Sequence, residues 1–280
     1  MTAPDTTLDR LIRILEAFDA TAPQLTVAEL AVRADLPLPT AYRWVERLHG
    51  SGLLRRHRDG TVGPGLRLWE LAARSSPTSS LRAAAMPYLD DVHAVLRQHT
   101  QLAVLDDDGV LVLERLSARG AVANQATVAG RLPLFTTSMG LTLMAFSRPH
   151  IAETLIERHQ HRLGMPVRRP AGEHGTAVGV VNPTESELRA LLAEVRRTGY
   201  ATVHGRLDVD TTGVAVPIEL SHRTAVGAAG VLPDAVGRDT VAALGVVVPA
   251  HSELAPGLAP MLMAAARGIT RTLAQNNDSH

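Results

Sequence analysis

Between Arg43 and Arg58 the chain carries five arginines, Arg43, Arg47, Arg55, Arg56 and Arg58, against a single acid, Glu46. A guanidinium donates in a planar fork that matches phosphate oxygens and the acceptor edge of guanine, so this density suits a polyanion with readable edges. Thr40 and Tyr42 add hydroxyls beside Arg43, able to bond a phosphate or a base edge. All 28 basic residues are arginine, so arginine type alone carries little weight and position must carry the argument. A second chemically suggestive stretch is LPLFTTSMGLTLMAF, starting at Leu132. Ser138 is placed to cap a helix opening at Met139-Gly140, whose free amides and partial positive charge suit a small carboxylate. Gly140 lets a backbone approach a ligand closely. His159, His161 and His174 have the residue type for zinc, but Arg158 and Arg162 flank them without an obvious third ligand, so a solvated helix end is expected and no metal. Asp106, Asp107 and Asp108, followed by Gly109 between two apolar runs, read as a turn.

The elements that position the arginines follow from capping and periodicity. Thr26 with Glu29 three residues later is a capping box, opening a helix whose Val27, Leu30 and Ala31 share a face until Asp35 and Pro37 stop it. Pro39 suits the first turn of a second helix, in which Ala41, Trp44, Val45 and Leu48 lie on one side. Thr40, Tyr42, Arg43, Glu46 and Arg47 then occupy the other. Ser51-Gly52 ends it, Leu53-Leu54 begins a basic strand, and Asp59-Gly60 is a hairpin turn. Helix, turn, helix and hairpin make a winged helix-turn-helix, and a helix with such a face fits the major groove of duplex DNA. The wing arginines suit a phosphate backbone or minor groove. Trp44, on the apolar side, reads as core.

An apolar stripe of Leu8, Leu11, Ile12, Leu15 and Phe18 predicts a preceding helix, and Leu66, Leu68, Trp69, Leu71 and Ala72 predict one after the wing. SSPTSS at Ser75 to Ser80 is the best domain boundary. Beyond it, helices are predicted over Leu81–His99, Ser138–Ser147, Ile151–His161, Thr184–Arg197 (a second capping box, with Glu187) and Leu258–Leu273. Strands are predicted at Leu102–Leu105, Val110–Leu113, Val122–Val128, Tyr200–Leu207, Gly213–Leu220, Ala225–Leu232 and Ala242–Val248. Turn-paired strands with helices grouped between them give an α+β domain with a mainly antiparallel sheet.

The 280 residues carry zero net charge and no cysteine, which excludes disulfides, thiolate metal sites and cysteine nucleophiles. Neither a signal peptide nor a run of spanning length is visible, so a cytoplasmic protein with no membrane association and no cofactor is expected. There is no nucleophile elbow and no phosphate loop.

With these residues in hand, the chain resembles the IclR family of bacterial transcription regulators along nearly its whole length. The resemblance rests on TTLDRLIRILEAF, LTVAELAVRADLPLPTAYRWVERLHGSGLL and TVGPGLRLWELA in the N-terminal part. In the C-terminal part it rests on LPLFTTSMGLTLMAF, RRTGYATVHGRLDVDTTGVAVPI and AALGVVVPAHSEL. It implies a winged helix-turn-helix DNA-binding domain over 1–64, a linker helix over 65–80, and a GAF-like, profilin-like α+β effector-binding and oligomerisation domain over 81–280. It also implies a homodimer or dimer of dimers on a palindromic double-stranded operator, controlled by a small molecule. The LPLFTTSMG segment forms one side of the effector pocket in this family, which places Leu132, Leu134, Thr137, Ser138, Met139 and Gly140 there.

The departures are informative. Val203 stands where the family often has an acid, Gly213 where it often has cysteine or serine, and Gly245 and Val247 where it has polar residues in the last strand. AVGAAGVLP at Ala225 to Pro233 competes for that last alignment. Loss of these polar anchors predicts an effector more apolar than a two- or three-carbon keto acid, such as an aromatic one, or a pocket that no longer responds. Leu38-Pro39 replaces the basic residue and hydroxyl cap common at the start of the recognition helix, so DNA affinity must come from Thr40 to Arg47 and the wing. The alternatives from other classes are an enzyme with a regulatory helix-turn-helix, and a winged helix used only for protein association; the titratable groups are too scattered to favour catalysis.

Overall fold

The computed structural model describes residues 5–19, 21–74, 78–106, 109–122, 124, 126–167, 180–206, 208–220, 239–252 and 255–278. Two compact units are present, Met1–Ser76 and Pro77–His280.

In the first unit, α1 (Thr7–Glu16), α2 (Val27–Arg33) and α3 (Leu38–Gly50) precede a hairpin of β1 (Leu54–Arg56) and β2 (Val62–Pro64), and α4 (Leu66–Arg74) follows. Capping boxes open α1 (Thr6 with Asp9) and α2 (Thr26 with Glu29). Each side-chain oxygen takes an amide that the helix cannot satisfy itself. The core joins Ile14, Leu30, Ala41, Val45, Leu48, Leu54 and Val62, with Trp44 packed at its edge. Gly60 turns the wing at φ +86°. Two expectations change here. The stripe of α1 holds in part: Leu11, Leu15 and Phe18 pack against the core and Ile14 joins it fully buried, while Leu8 and Ile12 are 61% and 44% exposed. A stripe read from one helix cannot show where its partner elements lie. No residue of α4 is buried within this unit, and Leu66 and Trp69 are exposed.

In the second unit, α5 (Ser79–Leu96) leads into β3 (His99–Asp106), β4 (Gly109–Leu116) and β5 (Arg131–Leu132). Then come α6 (Ser138–Phe146), α7 (Pro149–Arg158), a 3-10 turn (Gln160–Arg162) and α8 (Glu185–Thr198). Strands β6 (Ala201–His204), β7 (Thr211–Leu220) and β8 (Asp239–Pro249) precede the last helix, α9 (Ala255–Asp278). The sheet is antiparallel, in the order β5-β4-β3-β8-β7-β6. Leu102, Val104, Val214, Val216, Leu244 and Val246 face α5 and α9, burying one side of the sheet against Leu89, Val92, Leu262 and Ile269. The other side presents small residues, Ala103, Ala215 and Ala243, and α6 lies against them with α7 and α8 outside it. Small side chains there let a mostly apolar helix come close; six residues of α6, among them Leu143, Met144 and Thr142, are buried within 3% exposure.

Several boundaries differ from the sequence expectation. Helix α5 ends at Leu96 rather than His99, because Arg97 adopts the left-handed conformation that closes a helix. Val122–Val128 is not a strand in its described residues. Its polar groups go to side chains instead: Val122 N–H donates to Gln98 Oε1 at 3.1 Å and Ala126 N–H to Asn124 Oδ1 at 3.1 Å. The strand falls later, at Arg131–Leu132. Thr137, not Ser138, caps α6, accepting the Gly140 amide at 3.0 Å. The expected strand Ala225–Leu232, the turn residues Asp107 and Asp108, and His174 lie outside the described residues.

Candidate nucleic-acid interface and ligand pocket

In the first unit, burial of Ala41, Val45 and Leu48 fixes the rotation of α3 and turns Tyr42, Arg43, Glu46 and Arg47 to solvent, with Thr40 half-buried beside them. The start of α3 has no side-chain cap on Pro37 and no acid in its first turn. The Thr40 amide bonds the Pro37 carbonyl at 2.8 Å and Pro39 has no amide hydrogen, so a phosphate would be held there by side chains rather than by the helix start. Arg43 Nη2 reaches Thr40 Oγ1 at 3.4 Å, a contact too long to hold it against an anion. In the wing, Arg55 and Arg58 are exposed. Arg56 is not free as the sequence suggested: its Nη2 donates to Glu46 Oε2 at 3.0 Å, tying the wing to α3. Of the seven residues, Arg56 is therefore already paired with an acid on α3.

In the second unit, a cavity with about 530 Å³ of space between atoms, part of it open to solvent, lies between the sheet and the start of α6. Cross-strand pairing builds its floor: Val203 on β6 pairs with Gly213 on β7, Gly213 with Val247 on β8, and Val247 with His99 on β3. Leu132, Thr137, Ser138 and Met139 close it from above, and Gly205, Arg206, Asp208 and Thr211 from the turn between β6 and β7. Of the ten residues expected at the pocket, Leu132, Thr137, Ser138, Met139, Val203, Gly213 and Val247 line it. Leu134, Gly140 and Gly245 do not, for packing reasons. A Cβ on Gly140 would fall 2.1 Å from the Leu134 carbonyl oxygen, so that glycine seats α6 on the preceding loop. A Cβ on Gly245 would come within 3.2 Å of Met139 Cγ, so that one makes room for Met139. Gly213 does the same for Ser138.

Sequence reasoning missed the polar side of the cavity, Gln101, Asn124 and Thr136. The polar anchors are therefore not gone; they stand on β3, on the 121–126 crossing and before α6. The available signal was a glutamine inside the apolar run HTQLAVL of β3. Gln101 and Thr136 are buried, at 2% and 0% exposure. Next to them, His99 Nε2 donates to the Val122 carbonyl and its Nδ1 accepts from Arg115 Nη2 at 3.3 Å. Burial, followed by the Arg115 charge, pushes the His99 imidazole below its ordinary range, which matches a neutral ring in that arrangement. Burial likewise lowers the Arg115 guanidinium, and among the described residues no carboxylate pairs with it. His159 is buried beside the Phe135 ring, with centroids 6.1 Å apart. Among the described residues no group of three or more His, Asp or Glu could hold a metal.

A helix-turn-helix with an arginine wing and a separate sheet-floored pocket is the arrangement for comparison with known proteins. A family model described as "IclR helix-turn-helix domain" matches residues 7–58, and one described as "Bacterial transcriptional regulator IclR C-terminal" matches residues 77–236. The chain belongs to the IclR family. Its similarity to the Pca regulon regulatory protein of Pseudomonas putida is 26% identity over 270 residues, covering 96% of this chain and 84% of that one. An IclR homolog from Microbacterium hydrocarbonoxydans, crystallised with 4-hydroxybenzoate, is 37% identical with a TM-score of 0.76, covering 96% of this chain and all of its own. A second IclR homolog, from Microbacterium sp. strain HM58-2, is 36% identical with a TM-score of 0.52 and covers 96% of this chain and 98% of its own. The protein is thus an IclR-family transcriptional regulator, with an N-terminal helix-turn-helix for DNA and a C-terminal α+β domain that binds effectors. Among the described residues, no helix is long and apolar enough to cross a membrane.

Proposed function

We propose that this regulator responds to a monocyclic aromatic acid of the hydroxybenzoate class. The observation that carries the reading is the composition of the cavity: an apolar floor and wall of Leu132, Met139, Val203 and Val247, with polar groups from β3, the start of α6 and the β6–β7 turn around them. A ring has apolar faces to bury and a carboxylate to satisfy, and a lining that mixes apolar side chains with unpaired donors meets both demands. A two-carbon keto acid would leave most of that apolar surface uncovered. The relative that was crystallised with 4-hydroxybenzoate supports the same class.

On the DNA side, the reading assigns Thr40, Tyr42, Arg43 and Arg47 to the major groove and Arg55, Arg56 and Arg58 to the phosphate backbone. Residues 1–64 would act as the DNA-binding domain, 65–80 as the connector, and 81–280 as the domain for effector binding and assembly. A cytoplasmic dimer, or dimer of dimers, would place two α3 helices on half-sites about 34–36 Å apart, so a modest rotation between protomers changes operator affinity. No catalysis is invoked; the titratable side chains lining the cavity are Arg206 and Asp208, without a nucleophile and base in contact. Calorimetric titration of the purified chain tests the effector class. Binding of 4-hydroxybenzoate or benzoate, with glyoxylate and pyruvate weaker, is expected; tight glyoxylate or pyruvate binding overturns it.

A further inference from the structure

We infer that Gln101, Asn124 and Thr136 form a carboxylate clamp at the β3 end of the cavity, made of neutral donors rather than a salt bridge. The inference rests on the reading of the cavity as the effector site and adds how the acid is held and which way it points. Three residues that line this one cavity each hold a buried polar atom without any hydrogen-bond partner: Gln101 Nε2, Asn124 Nδ2 and Thr136 Oγ1. Asn124 cannot simply turn round, because its Oδ1 already accepts the Ala126 amide at 3.1 Å, and this aims Nδ2 away as a donor. Two unpaired amide donors and an unpaired hydroxyl in the lining of one cavity call for a group that only accepts, with several lone pairs to offer; an ionised carboxylate is that group.

The surrounding charge has the matching sign. Gln101 pairs across strands with Arg115, which places both side chains on the same face of the sheet. Arg115 has its Nε buried without a partner, and its remaining contact is to His99. A cation held away from water without an acid is costly, and an anion on the other side of Gln101 offsets that cost without touching it. Asp208, the acid lining the cavity, sits at the opposite end, in the turn after β6. From β3 across β8 and β7 to β6 is three strand spacings, roughly 14 Å. A ring can therefore lie over Val247 with its carboxylate among the three donors, leaving its para position toward Ser138, Arg206 and Asp208. The competing arrangement has the carboxylate on Arg206.

Isothermal titration of the full chain separates the two, using benzoate, 4-hydroxybenzoate, their neutral amides (benzamide and 4-hydroxybenzamide), and the aliphatic acids pyruvate and hexanoate. Thr136→Val and Gln101→Leu each weaken carboxylate binding about tenfold or more, the cost of one hydrogen bond to a charged group, while binding of the amides changes little. Arg206→Gln changes carboxylate binding by less than about threefold, as a contact at a partly solvated rim does. Thr136 Oγ1 bonds nothing in the protein, so Thr136→Val leaves the melting temperature without ligand unchanged or higher. Loss of stabilisation by benzoate in that variant then reports binding and not folding. A large loss in Arg206→Gln with Thr136→Val unaffected overturns the clamp, as does equal affinity for benzoate and benzamide. If aliphatic acids bind and aromatic ones do not, the aromatic reading fails while the same variants still judge the clamp. If no carboxylate of either kind binds, the clamp itself fails.

Discussion

At the scale of single residues, the structure redistributes the work of the arginines. The Arg56–Glu46 pair at 3.0 Å joins exposed groups and adds little to stability, but it sits where phosphates would approach. Glu46→Ala is expected to release Arg56 and remove a repulsive charge, so affinity for random duplex DNA should rise severalfold and the salt slope steepen by about one unit. Arg43→Ala should instead cost affinity mainly on the operator, by about 1–3 kcal/mol for a base contact. Mobility shifts on operator and random duplexes at several salt concentrations measure both; an unchanged slope in Glu46→Ala removes the wing from the interface. In the second unit, the backbone clash at Gly140 makes Gly140→Ala destabilising by at least about 2 kcal/mol in urea unfolding, since α6 must lift off the Leu134 carbonyl. Gly257→Ala, with open space around its Cβ position on α9, should be neutral or stabilising by up to about 1 kcal/mol.

At the scale of elements, the turn before α2 carries the clearest pH dependence. Asp19 accepts from the Thr21 hydroxyl, then from the Ala22 and Thr21 amides and from Arg33, and these hold its carboxyl at about 2. The folded value is below the unfolded one, so its stabilisation is present above about pH 4, the unfolded range, and is lost as pH falls toward about 2. Asp19→Asn should therefore flatten the acid unfolding profile of the first unit over that window; an unchanged profile would show that the turn opens independently of the fold. The sequence made some elements readable and others not. The Thr26–Glu29 and Thr184–Glu187 capping boxes are local codes, spaced as a helix start requires, and both occur in the structure. The Thr6–Asp9 box went unread because its N3 residue is Asp rather than the usual Glu or Gln. The polar wall of the cavity was unreadable for another reason. Gln101, Asn124 and Thr136 are brought together by the register of β3 with β8 and by a crossing held through Gln98 and His99, and no local period encodes either.

At the scale of the whole molecule, 28 basic residues balance 28 acidic ones, so attraction to DNA comes from a patch and not from net charge. Specific regulation must then come from coupling between two separate units, Met1–Ser76 and Pro77–His280, each with its own core. Coupling is a free energy shared by both binding equilibria. If an effector alters operator affinity by some factor, the operator alters effector affinity by the same factor, and regulators typically show about 5–150-fold. Saturating benzoate at a hundred times its Kd stabilises the unit that binds it by about 2.7 kcal/mol, whether or not the DNA-binding unit responds, so a thermal shift alone does not demonstrate regulation. The decisive measurement is paired. Operator affinity is titrated with and without 4-hydroxybenzoate, and 4-hydroxybenzoate affinity with and without operator duplex. The expected result is one factor, different from unity, in both directions. Thr136→Val should leave operator affinity of the unliganded protein as it was and abolish the response to 4-hydroxybenzoate at concentrations that saturate the parent chain. A factor of one in both directions, with 4-hydroxybenzoate still bound, would mean that the second unit senses a molecule it does not report to the first.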